Sequence, residues 1–477
     1  MIEVSEKIIS YIISLFGEKA ALQYVDFIKR EPSTYIRINP LKTTPEKLSK
    51  KLKNNYNIDS QILSNVQWAL KIISSKNVIG KTIEHIIGNY YIQSLSSMIP
   101  PLILNPSQDD KVLDLCSAPG SKTTQLGAIM GNSGTLIANE IALDRVKMLA
   151  YNVDRMNLMN AGIINFKGEQ LSKIYDNYFD KILVDAPCSG LGIIQKKGEV
   201  SNWWNLQRAE RLGDLQLRLL IAAIKMLKVG GEIVYSTCTL TFEENEFIID
   251  KVLQKYPVSL LDFELPIESQ KGFTDFGEIK LKDQVSKTRR IIPWLADTDG
   301  FFIAKLKKTG ETASPEKLSF LKNNLKLLNF ESKEINKLLK NICYEFEIDE
   351  KILANYSYIK KNSDIYFIKK EWYDENLSIF QRIGTRFGII DKNNEITLHT
   401  QAAQVLSESI NKKIFLIDNE KDVKKYLEGG IIKSNNLPKG QCVIKYDDLV
   451  LGTAVVTNGG LKSQFPRAKR TQEILYY

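Results

Sequence analysis

The middle of the chain alternates between short apolar runs and longer segments with helical periodicity. Consecutive apolar residues are typical of buried strands, and apolar residues at every third or fourth position are typical of helices. Strands are predicted at Val112–Leu115, Thr135–Asn139, Ile163–Phe166, Lys181–Val184, Glu232–Tyr235 and Gly300–Leu306, and helices at Leu126–Met130, Leu143–Leu158 and Asn205–Leu227. Strands that alternate with helices form a parallel sheet covered on both faces, so we expect an α/β fold here.

The flanking segments have different patterns. Residues 1 to about 105 are expected to be mostly helical, because apolar residues recur at helical spacing near the start of the chain. After a predicted linker at Lys307–Pro315, the Lys-rich segment Leu318–Leu339 is predicted to be helical. From about Phe387, short apolar runs with Gly and Asn turns predict a small β-rich module. That module ends in a basic run with Arg467, Lys469 and Arg470.

Length and composition are those of a globular protein with several domains. The 477 residues suffice for two to four domains of about 100–200 residues each. No apolar run approaches the roughly 18 residues that a membrane span requires. The first residues include Glu3 and Glu6 instead of a signal-peptide pattern. We therefore expect a cytoplasmic protein with no membrane partner.

The charge balance is mildly basic. The net charge of +9 comes from 65 Lys and Arg against 56 Asp and Glu, and the excess is spread over the whole chain. It fits either a basic face for RNA or DNA or an ordinary mixture of solvated charges. The basic stretch Arg37–Lys53 has the same two interpretations, a phosphate-contacting surface or the solvent face of a helix that begins near Thr44.

The cysteine and histidine inventory excludes several classes of site. The five cysteines are odd in number and far apart, which fits neither a disulfide framework nor a zinc site. The only histidines are His85 and His399, so a histidine-based triad or a multi-histidine metal site is close to excluded. We expect both histidines to be structural and no metal to be bound.

Two segments are candidates for a ligand site. The first is the turn of small residues between the strand at Val112 and the following helix, and the second is Asn139–Glu140 at the end of the next strand. Ligands of open α/β sheets bind at the carboxyl ends of strands, and an acidic residue there can accept hydrogen bonds from ribose hydroxyls. The turn matches neither dinucleotide nor triphosphate motifs, and tight packing would also explain it. Glu140 could equally be a charge at a helix N-terminus.

Two cysteines follow strands of the same predicted sheet. Cys188 lies in the segment Asp185–Gly190 and Cys238 in the segment Ser236–Thr239. A single buried cysteine is usually an inert packing residue. Two cysteines at equivalent strand ends, one of them three residues from Asp185, indicate covalent chemistry instead.

These segments together resemble the Sun (NSUN) family of S-adenosylmethionine-dependent RNA cytosine-5 methyltransferases. The resemblance covers roughly residues 30–306 and rests on Tyr91–Gln93, Ser96–Met98 with Pro100, Leu113–Thr123, Asp185–Gly190, Tyr235–Thr239, Glu243–Glu246 and Gly300–Ala304. The tail beyond this region is more loosely similar to the bacterial branch that modifies small-subunit ribosomal RNA. That branch has a PUA-like module at its end.

The resemblance implies a fold and a division into domains. The α/β core would be a Rossmann-like class I methyltransferase core at residues 106–308. A helical RNA-binding domain at 1–105 would precede it. A linker and small α+β domain at 309–385 and a PUA-like RNA-binding module at 386–477 would follow it.

The resemblance also implies roles for individual residues. Cys238 would be the nucleophile that adds to C6 of cytosine, and Cys188 would remove the C5 proton and release the enzyme. Asp185 would bind the base edge and also border the cofactor, with Lys122 close to both. The cofactor loop would comprise Cys116, Ser117, Ala118, Pro119, Gly120, Ser121 and Lys122, and Glu140, Arg145 and Lys167 would complete the site. Lys167 stands where the family commonly has an aspartate that binds adenine, so a backbone group or packing would have to hold the adenine here.

We therefore expect an S-adenosylmethionine-dependent RNA cytosine-5 methyltransferase that acts as a monomer on 16S ribosomal RNA or the small ribosomal subunit. Transfer RNA is an alternative substrate for the same core. A DNA cytosine-5 methyltransferase would use the Pro-Cys cysteine, Cys188, as its nucleophile. A non-catalytic RNA-binding assembly factor is the alternative outside enzymes, and the retention of both cysteines argues against it.

Overall fold

The computed structural model describes residues 3–314, 316, 325–434, 440–467 and 470. In the N-terminal region the elements are α1 (Glu6–Phe16), α2 (Glu18–Lys29), β1 (Thr34–Ile38), α3 (Pro45–Tyr56), β2 (Ser60–Ile62), β3 (Ala69–Ile72), α4 (Ile83–Ile86), β4 (Tyr90–Ile92) and α5 (Leu95–Leu104). The four strands form an antiparallel sheet in the order β2-β3-β1-β4. The prediction of a mostly helical region missed this sheet, because strands of three to five residues carry little periodicity.

The central region contains the largest sheet. Its elements are β5 (Lys111–Asp114), α6 (Ser121–Ile129), β6 (Thr135–Asn139), α7 (Leu143–Arg155), β7 (Ala161–Ile164), β8 (Phe179–Asp185), α8 (Val200–Trp203), α9 (Leu206–Met226), β9 (Leu227–Thr237), α10 (Glu246–Lys255), β10 (Val258–Leu260), β11 (Gln270–Lys271), β12 (Asp275–Phe276), β13 (Ile279–Lys280), β14 (Arg289–Ile291), α11 (Pro293–Ala296) and β15 (Phe301–Lys308). Short 3-10 helices lie at Lys76–Lys81, Gly168–Lys173, Leu191–Ile193, Asp283–Lys287 and Leu377–Ile379.

The order of the strands is that of an open, doubly wound sheet. Strands β7, β6, β5, β8 and β9 are parallel neighbours. Beyond β9 the sheet continues with the antiparallel strands β15, β14 and β11. Successive residues of a strand face opposite sides, so Leu113 packs into one apolar cluster and Val112 into another. The predicted parallel sheet, covered on both faces, is confirmed.

The C-terminal region forms two further sheets. Its elements are α12 (Asn336–Phe346), α13 (Glu350–Leu353), β16 (Tyr356–Lys361), β17 (Asp364–Lys369), β18 (Phe380–Ile383), β19 (Thr385–Ile390), β20 (Ile396–Leu398), α14 (Thr400–Val405), β21 (Ile414–Ile417), α15 (Glu420–Leu427), β22 (Ile431–Ile432), β23 (Gln441–Tyr446), β24 (Leu449–Thr457) and β25 (Gly460–Ser463). The sheet orders are β16-β17-β19-β20 and β21-β23-β24-β25-β22. The β-rich composition after Phe387 was predicted.

The helix predicted at Leu318–Leu339 is wrong over most of its described part. Residues 325–335 contain turns and a bridge between Leu328 and Tyr358, and the helix begins at Asn336. The apolar spacing was satisfied by pairing with a distant strand, which local periodicity does not reveal. Residues 318–324 of this prediction, and Lys469 of the terminal basic run, lie outside the described residues.

One strand of the C-terminal region belongs to the central sheet. Strand β18 pairs antiparallel with β7, with Phe380 opposite Ile164 and Ile383 opposite Gly162. A Cβ at Gly162 would lie 2.5 Å from Phe380 Cε1 and 2.8 Å from Trp372 Cζ2, so only glycine fits under these two rings. The segment after residue 308 is therefore part of the core.

The basic stretch Arg37–Lys53 is largely engaged within the protein. Arg37 is buried against α6, where its guanidinium donates to Thr124 Oγ1 over 2.7 Å. Lys47 Nζ lies 2.6 Å from Asp448 Oδ2, which joins the N-terminal region to the C-terminal module. These contacts do not support a continuous phosphate-binding surface on this stretch. In the part of the chain that the structure describes, no helix is long and apolar enough to cross a membrane.

Candidate active site

An ion pair lies at the carboxyl edge of the central sheet. Asp185 is the last residue of β8, and Lys122 lies in the first turn of α6, which follows β5. Parallel strands end at the same edge, so the two side chains meet, with Lys122 Nζ 2.6 Å from Asp185 Oδ2. Ser236 of β9 donates from Oγ to the other carboxylate oxygen, Asp185 Oδ1, over 2.9 Å. The ion pair therefore has one buried partner, Lys122, and one partner that reaches solvent.

The Lys122 ammonium is held from further sides. It donates to Ser97 Oγ over 3.0 Å and lies 5.1 Å from the centre of the Phe301 ring. A hydroxyl oxygen and the face of an aromatic ring both attract a lysine ammonium. The Lys122 ammonium is therefore held in a fixed position beside Asp185, which reaches solvent.

The two candidate cysteines come together beside this ion pair. Cys188 and Cys238 follow β8 and β9, and their Sγ atoms are 2.9 Å apart. The Cys238 backbone N–H also donates to Cys188 Sγ over 3.3 Å. The hydrogen bond with Cys238, and burial after it, raises the pKa of the Cys188 thiol well above its ordinary value. Cys188 therefore keeps its proton at neutral pH.

A second group of residues surrounds the turn after β5. Gly120, with φ of 105°, starts α6 in a left-handed conformation that favours glycine. Arg145 Nη2 donates to Ala118 O, and Arg145 Nη1 lies 3.4 Å from Glu140 Oε2. Glu140 Oε1 accepts from the Ala142 N–H over 2.9 Å. Each carboxylate oxygen of the buried Glu140 keeps a lone pair for another donor.

Asp114, the last residue of β5, carries an unpaired oxygen within this group. It is fully buried, and its Oδ2 accepts from Thr123 Oγ1 over 2.7 Å, whereas Oδ1 has no hydrogen-bond partner. Burial raises the pKa of Asp114 to about 7. A buried, unsatisfied carboxylate oxygen is costly unless a cationic or donor group completes it. The Asp114 Oδ1 atom therefore fits a ligand ammonium.

Two other predicted positions are less engaged. Lys167 follows β7 and has an exposed side chain. The backbone of the preceding residue, Phe166, is held by the side chain of Asn139, which accepts a hydrogen bond from Phe166 N–H and donates one to Phe166 O. Burial raises the pKa of the Cys116 thiol well above its ordinary value, so this thiol keeps its proton at neutral pH. Among the described residues, no group of three or more His, Cys, Asp or Glu side chains could hold a metal ion.

Comparison with known proteins identifies the family of the chain. Residues 101–307 match the family described as 16S rRNA methyltransferase RsmB/F. The chain is also 30% identical over 482 residues to the ribosomal RNA small subunit methyltransferase F of Vibrio campbellii, covering 96% of this chain and 97% of that protein. The chain belongs to the RsmB/F family.

Other relatives share mainly the core of this RsmB/F protein. A tRNA (cytosine(49)-C(5))-methyltransferase of Pyrococcus abyssi is 37% identical over 277 residues, which are 57% of this chain and 87% of that protein. A solved methyltransferase homologue from Pyrococcus horikoshii superimposes with a TM-score of 0.57 at 29% identity, covering 64% of this chain and all of that one. The RsmB/F protein is thus an S-adenosylmethionine-dependent RNA cytosine-C5 methyltransferase, as the resemblance of its motifs implied.

The residues present fit S-adenosylmethionine. Its methionine part carries an ammonium that matches the unpaired Asp114 Oδ1. Its ribose hydroxyls match the free lone pairs of Glu140. The turn of small residues between Cys116 and Lys122 leaves room for backbone to approach the ligand.

The structure of the RsmB/F protein brings most of the sequence-predicted residues to one sheet edge. Cys188, Cys238, Asp185 and Lys122 form one group, and the turn after β5 with Glu140 and Arg145 forms the other. Their catalytic and binding roles remain predictions. Sequence reasoning missed Asp114, although an acidic residue inside an apolar strand is a signal of a special role. Ser97 and Glu244 lie in motif segments of the sequence analysis but were given no role there, because their contacts depend on the tertiary fold.

Proposed function

We propose that the protein methylates C5 of a cytidine in 16S ribosomal RNA through a covalent adduct between Cys238 and C6 of the base. The observation that carries the covalent mechanism is the pair of thiols 2.9 Å apart beside the Lys122–Asp185 ion pair. C5 of cytosine is a weak nucleophile, and addition of a thiolate at C6 converts the ring into an enamine that is nucleophilic at C5.

Cys238 and Asp185 would perform the first step. The Cys238 thiolate forms the Sγ–C6 bond, and the electrons of the C5–C6 double bond move toward N3. Asp185 binds the N3 and N4 edge of the flipped base, and N3 takes up the proton held between Lys122 Nζ and Asp185 Oδ2. Bound S-adenosylmethionine supplies an electrophilic methyl group on a positively charged sulfur.

Cys188 would complete the reaction. Formation of the Sγ–C6 bond removes Cys238 as the hydrogen-bond partner of Cys188, and Cys188 would then release its proton to solvent. The Cys188 thiolate then takes the C5 proton, the Sγ–C6 bond breaks, and Cys238 leaves as a thiolate. The N3 proton returns to the Lys122–Asp185 pair, so that each turnover releases one proton in total.

The extent of the similarity supports 16S ribosomal RNA as the substrate. The similarity to the Vibrio campbellii small-subunit enzyme extends through both C-terminal sheets, whereas the archaeal tRNA enzyme matches little more than half of this chain. We propose that residues 1–105 and 386–477 bind the RNA, and that the enzyme acts as a monomer in the cytoplasm. Transfer RNA is the second candidate, because identity to the archaeal tRNA enzyme within the matched region reaches 37%.

Covalent trapping tests the assignment of the two cysteines. The Cys188→Ala and Cys238→Ala variants are incubated with labelled RNA and S-adenosylmethionine and analysed on denaturing gels. We expect a stable protein–RNA complex with Cys188→Ala, because the adduct forms but is not resolved, and none with Cys238→Ala. The reverse pattern would assign the nucleophile to Cys188, as in DNA cytosine-5 methyltransferases.

Bisulfite mapping tests the substrate. 5-Methylcytosine is mapped in 16S ribosomal RNA and in transfer RNA from cells with and without the gene. We expect loss of a site in 16S ribosomal RNA alone. A lost site in transfer RNA with 16S ribosomal RNA unchanged would favour the second candidate.

A further inference from the structure

The loops that carry the two cysteines contact each other through the residue that follows each cysteine. Ser189 follows Cys188 and Thr239 follows Cys238, and both hydroxyl residues are fully buried. Their oxygens, Ser189 Oγ and Thr239 Oγ1, are 3.0 Å apart. Any change in this contact would therefore alter the relative position of the thiols.

One buried carboxylate, that of Glu244, organises this junction. Its Oε1 accepts from the Ser189 backbone N–H over 2.8 Å and from Gln216 Nε2 over 2.9 Å. Its Oε2 accepts from Thr241 Oγ1 over 2.7 Å and from Ser189 Oγ. These four donors match the four acceptor sites of a carboxylate. The side chain is fully buried, so these groups take the place of water around the charge.

Two residues next to Glu244 in the structure, Gln216 and Asn245, also form hydrogen bonds with residues that flank the cysteines. Gln216 Nε2 also donates to the carbonyl of Pro187, the residue before Cys188, over 2.8 Å. Asn245 accepts from Thr237 Oγ1 over 2.6 Å and donates to Thr239 O over 3.1 Å. Thr237 and Thr239 are the two residues that flank Cys238. The network thus holds the chain before and after both thiols.

We propose that Glu244 is a positioning residue that fixes Cys188 against Cys238 so that the covalent adduct can be resolved. The inference rests on the proposed covalent mechanism and adds a residue to which no step of that mechanism assigns a role. Glu244 contacts neither thiol directly and acts through Ser189. Because small displacements of a reacting group can cost about 100-fold in rate, loosening Ser189 is expected to slow release of the base.

The test compares Glu244→Gln with Glu243→Gln as a matched control. Glutamine keeps the shape of the side chain but replaces one acceptor oxygen by a donor, so it cannot accept all four bonds. Glu243 is the adjacent carboxylate, and it accepts from Tyr11 of the N-terminal helix over 2.5 Å instead of binding the cysteine loops. Steady-state methylation, S-adenosylmethionine binding and the fraction of enzyme in the covalent RNA complex are measured for both variants.

We expect Glu244→Gln to lower kcat by about 10- to 100-fold with the KM for S-adenosylmethionine unchanged. We also expect Glu244→Gln to accumulate the covalent RNA complex although Cys188 is present, to a smaller fraction of the enzyme than in Cys188→Ala. In a Cys188→Ala background the Glu244→Gln change should add no further complex. Glu243→Gln should behave like the wild type in the kcat and adduct measurements.

A Glu244→Gln variant that turns over like Glu243→Gln, or that loses kcat without accumulating the complex, would overturn the proposal. If Glu244→Gln does not fold, Ser189→Ala removes a single hydroxyl of the junction and should accumulate the complex to a smaller extent. An absence of accumulation there would also overturn it. Failure of the covalent mechanism itself is recognised separately, because Cys188→Ala would then trap no RNA.

Discussion

A buried ion pair behind the Cys238 loop provides a quantitative test of the fold. Glu246, the first residue of α10, binds Arg290 of β14 through both carboxylate oxygens, and both side chains are almost inaccessible to solvent. Arg290 Nη1 also donates to Leu240 O over 2.7 Å, two residues after Cys238. The rings of Phe273 and Phe302 lie 4.7 and 5.8 Å from the guanidinium. The Glu246→Gln substitution would leave this cation buried without its counter-ion.

The magnitude follows from burial. Removal of one partner from a buried ion pair costs about 3–5 kcal/mol, because the remaining charge stays desolvated. For a core of about 200 residues, each kcal/mol lowers the melting temperature by about 2–4 °C, so we expect Glu246→Gln to lower it by about 10 °C. Differential scanning calorimetry measures this shift. Glu232→Gln is the control, since Glu232 forms two half-buried pairs and should shift the temperature by less than about 4 °C.

A double replacement separates the buried charge from the loss of packing. In Glu246→Leu combined with Arg290→Met both charges are gone, and apolar side chains of similar volume replace them. We expect this double variant to melt above Glu246→Gln, because no uncompensated charge remains. A Glu246→Gln shift no larger than that of Glu232→Gln, or a double variant less stable than the single one, would refute the reasoning.

Two further predictions concern the cofactor site and the contact between the ends of the chain. Because burial raises the pKa of Asp114 to about 7 and a bound ammonium favours its ionised form, S-adenosylmethionine affinity should weaken roughly tenfold as the pH falls from about 7 to about 5.5. Asp114→Asn should abolish this dependence in calorimetric titrations, and an unchanged dependence would contradict the assignment. Partial burial raises the pKa of Asp448, but hydrogen bonds with Lys47 and Lys51 outweigh this effect and lower the pKa to about 2. Asp448→Asn should therefore weaken docking of the C-terminal module by about 1 kcal/mol near neutral pH, but not below about pH 2. Weaker docking is measured as faster proteolysis of the variant. Equal cleavage rates of variant and wild type at neutral pH would argue against this prediction.

The sequence predicted the centre of the molecule better than its flanks. The strands that end at Asp114, Asp185 and Thr237 each contain a short apolar run near their end, followed by small or polar residues, so both their type and their shared edge were predictable. The proximity of Cys188 and Cys238 was predictable too, because both residues come shortly after strands that end at this edge. The role of surrounding residues such as Glu244 could not be predicted, because its bonds with Ser189 and Gln216 join segments that are distant in sequence.

The flanks depend on long-range pairing. Arg37 was interpreted as a candidate phosphate contact, yet it is buried by acceptors on α6 that lie more than 80 residues away. The segment after Leu325 has helical spacing but pairs with Tyr358 instead. Local pattern carries no information about such partners, so errors concentrate where burial is decided by another part of the chain.

The pairing of β18 with β7 also sets how this protein can be divided. A fragment that stops at Lys308, the end of β15, would remove Phe380 and Trp372 from Gly162 and leave the backbone groups of β7 as an open edge. Open edges promote self-association, so such a fragment would be a poor minimal catalytic unit. A chimera that exchanges C-terminal modules between relatives should therefore be joined after Ile383, with the last strand of the sheet kept on the catalytic side of the junction.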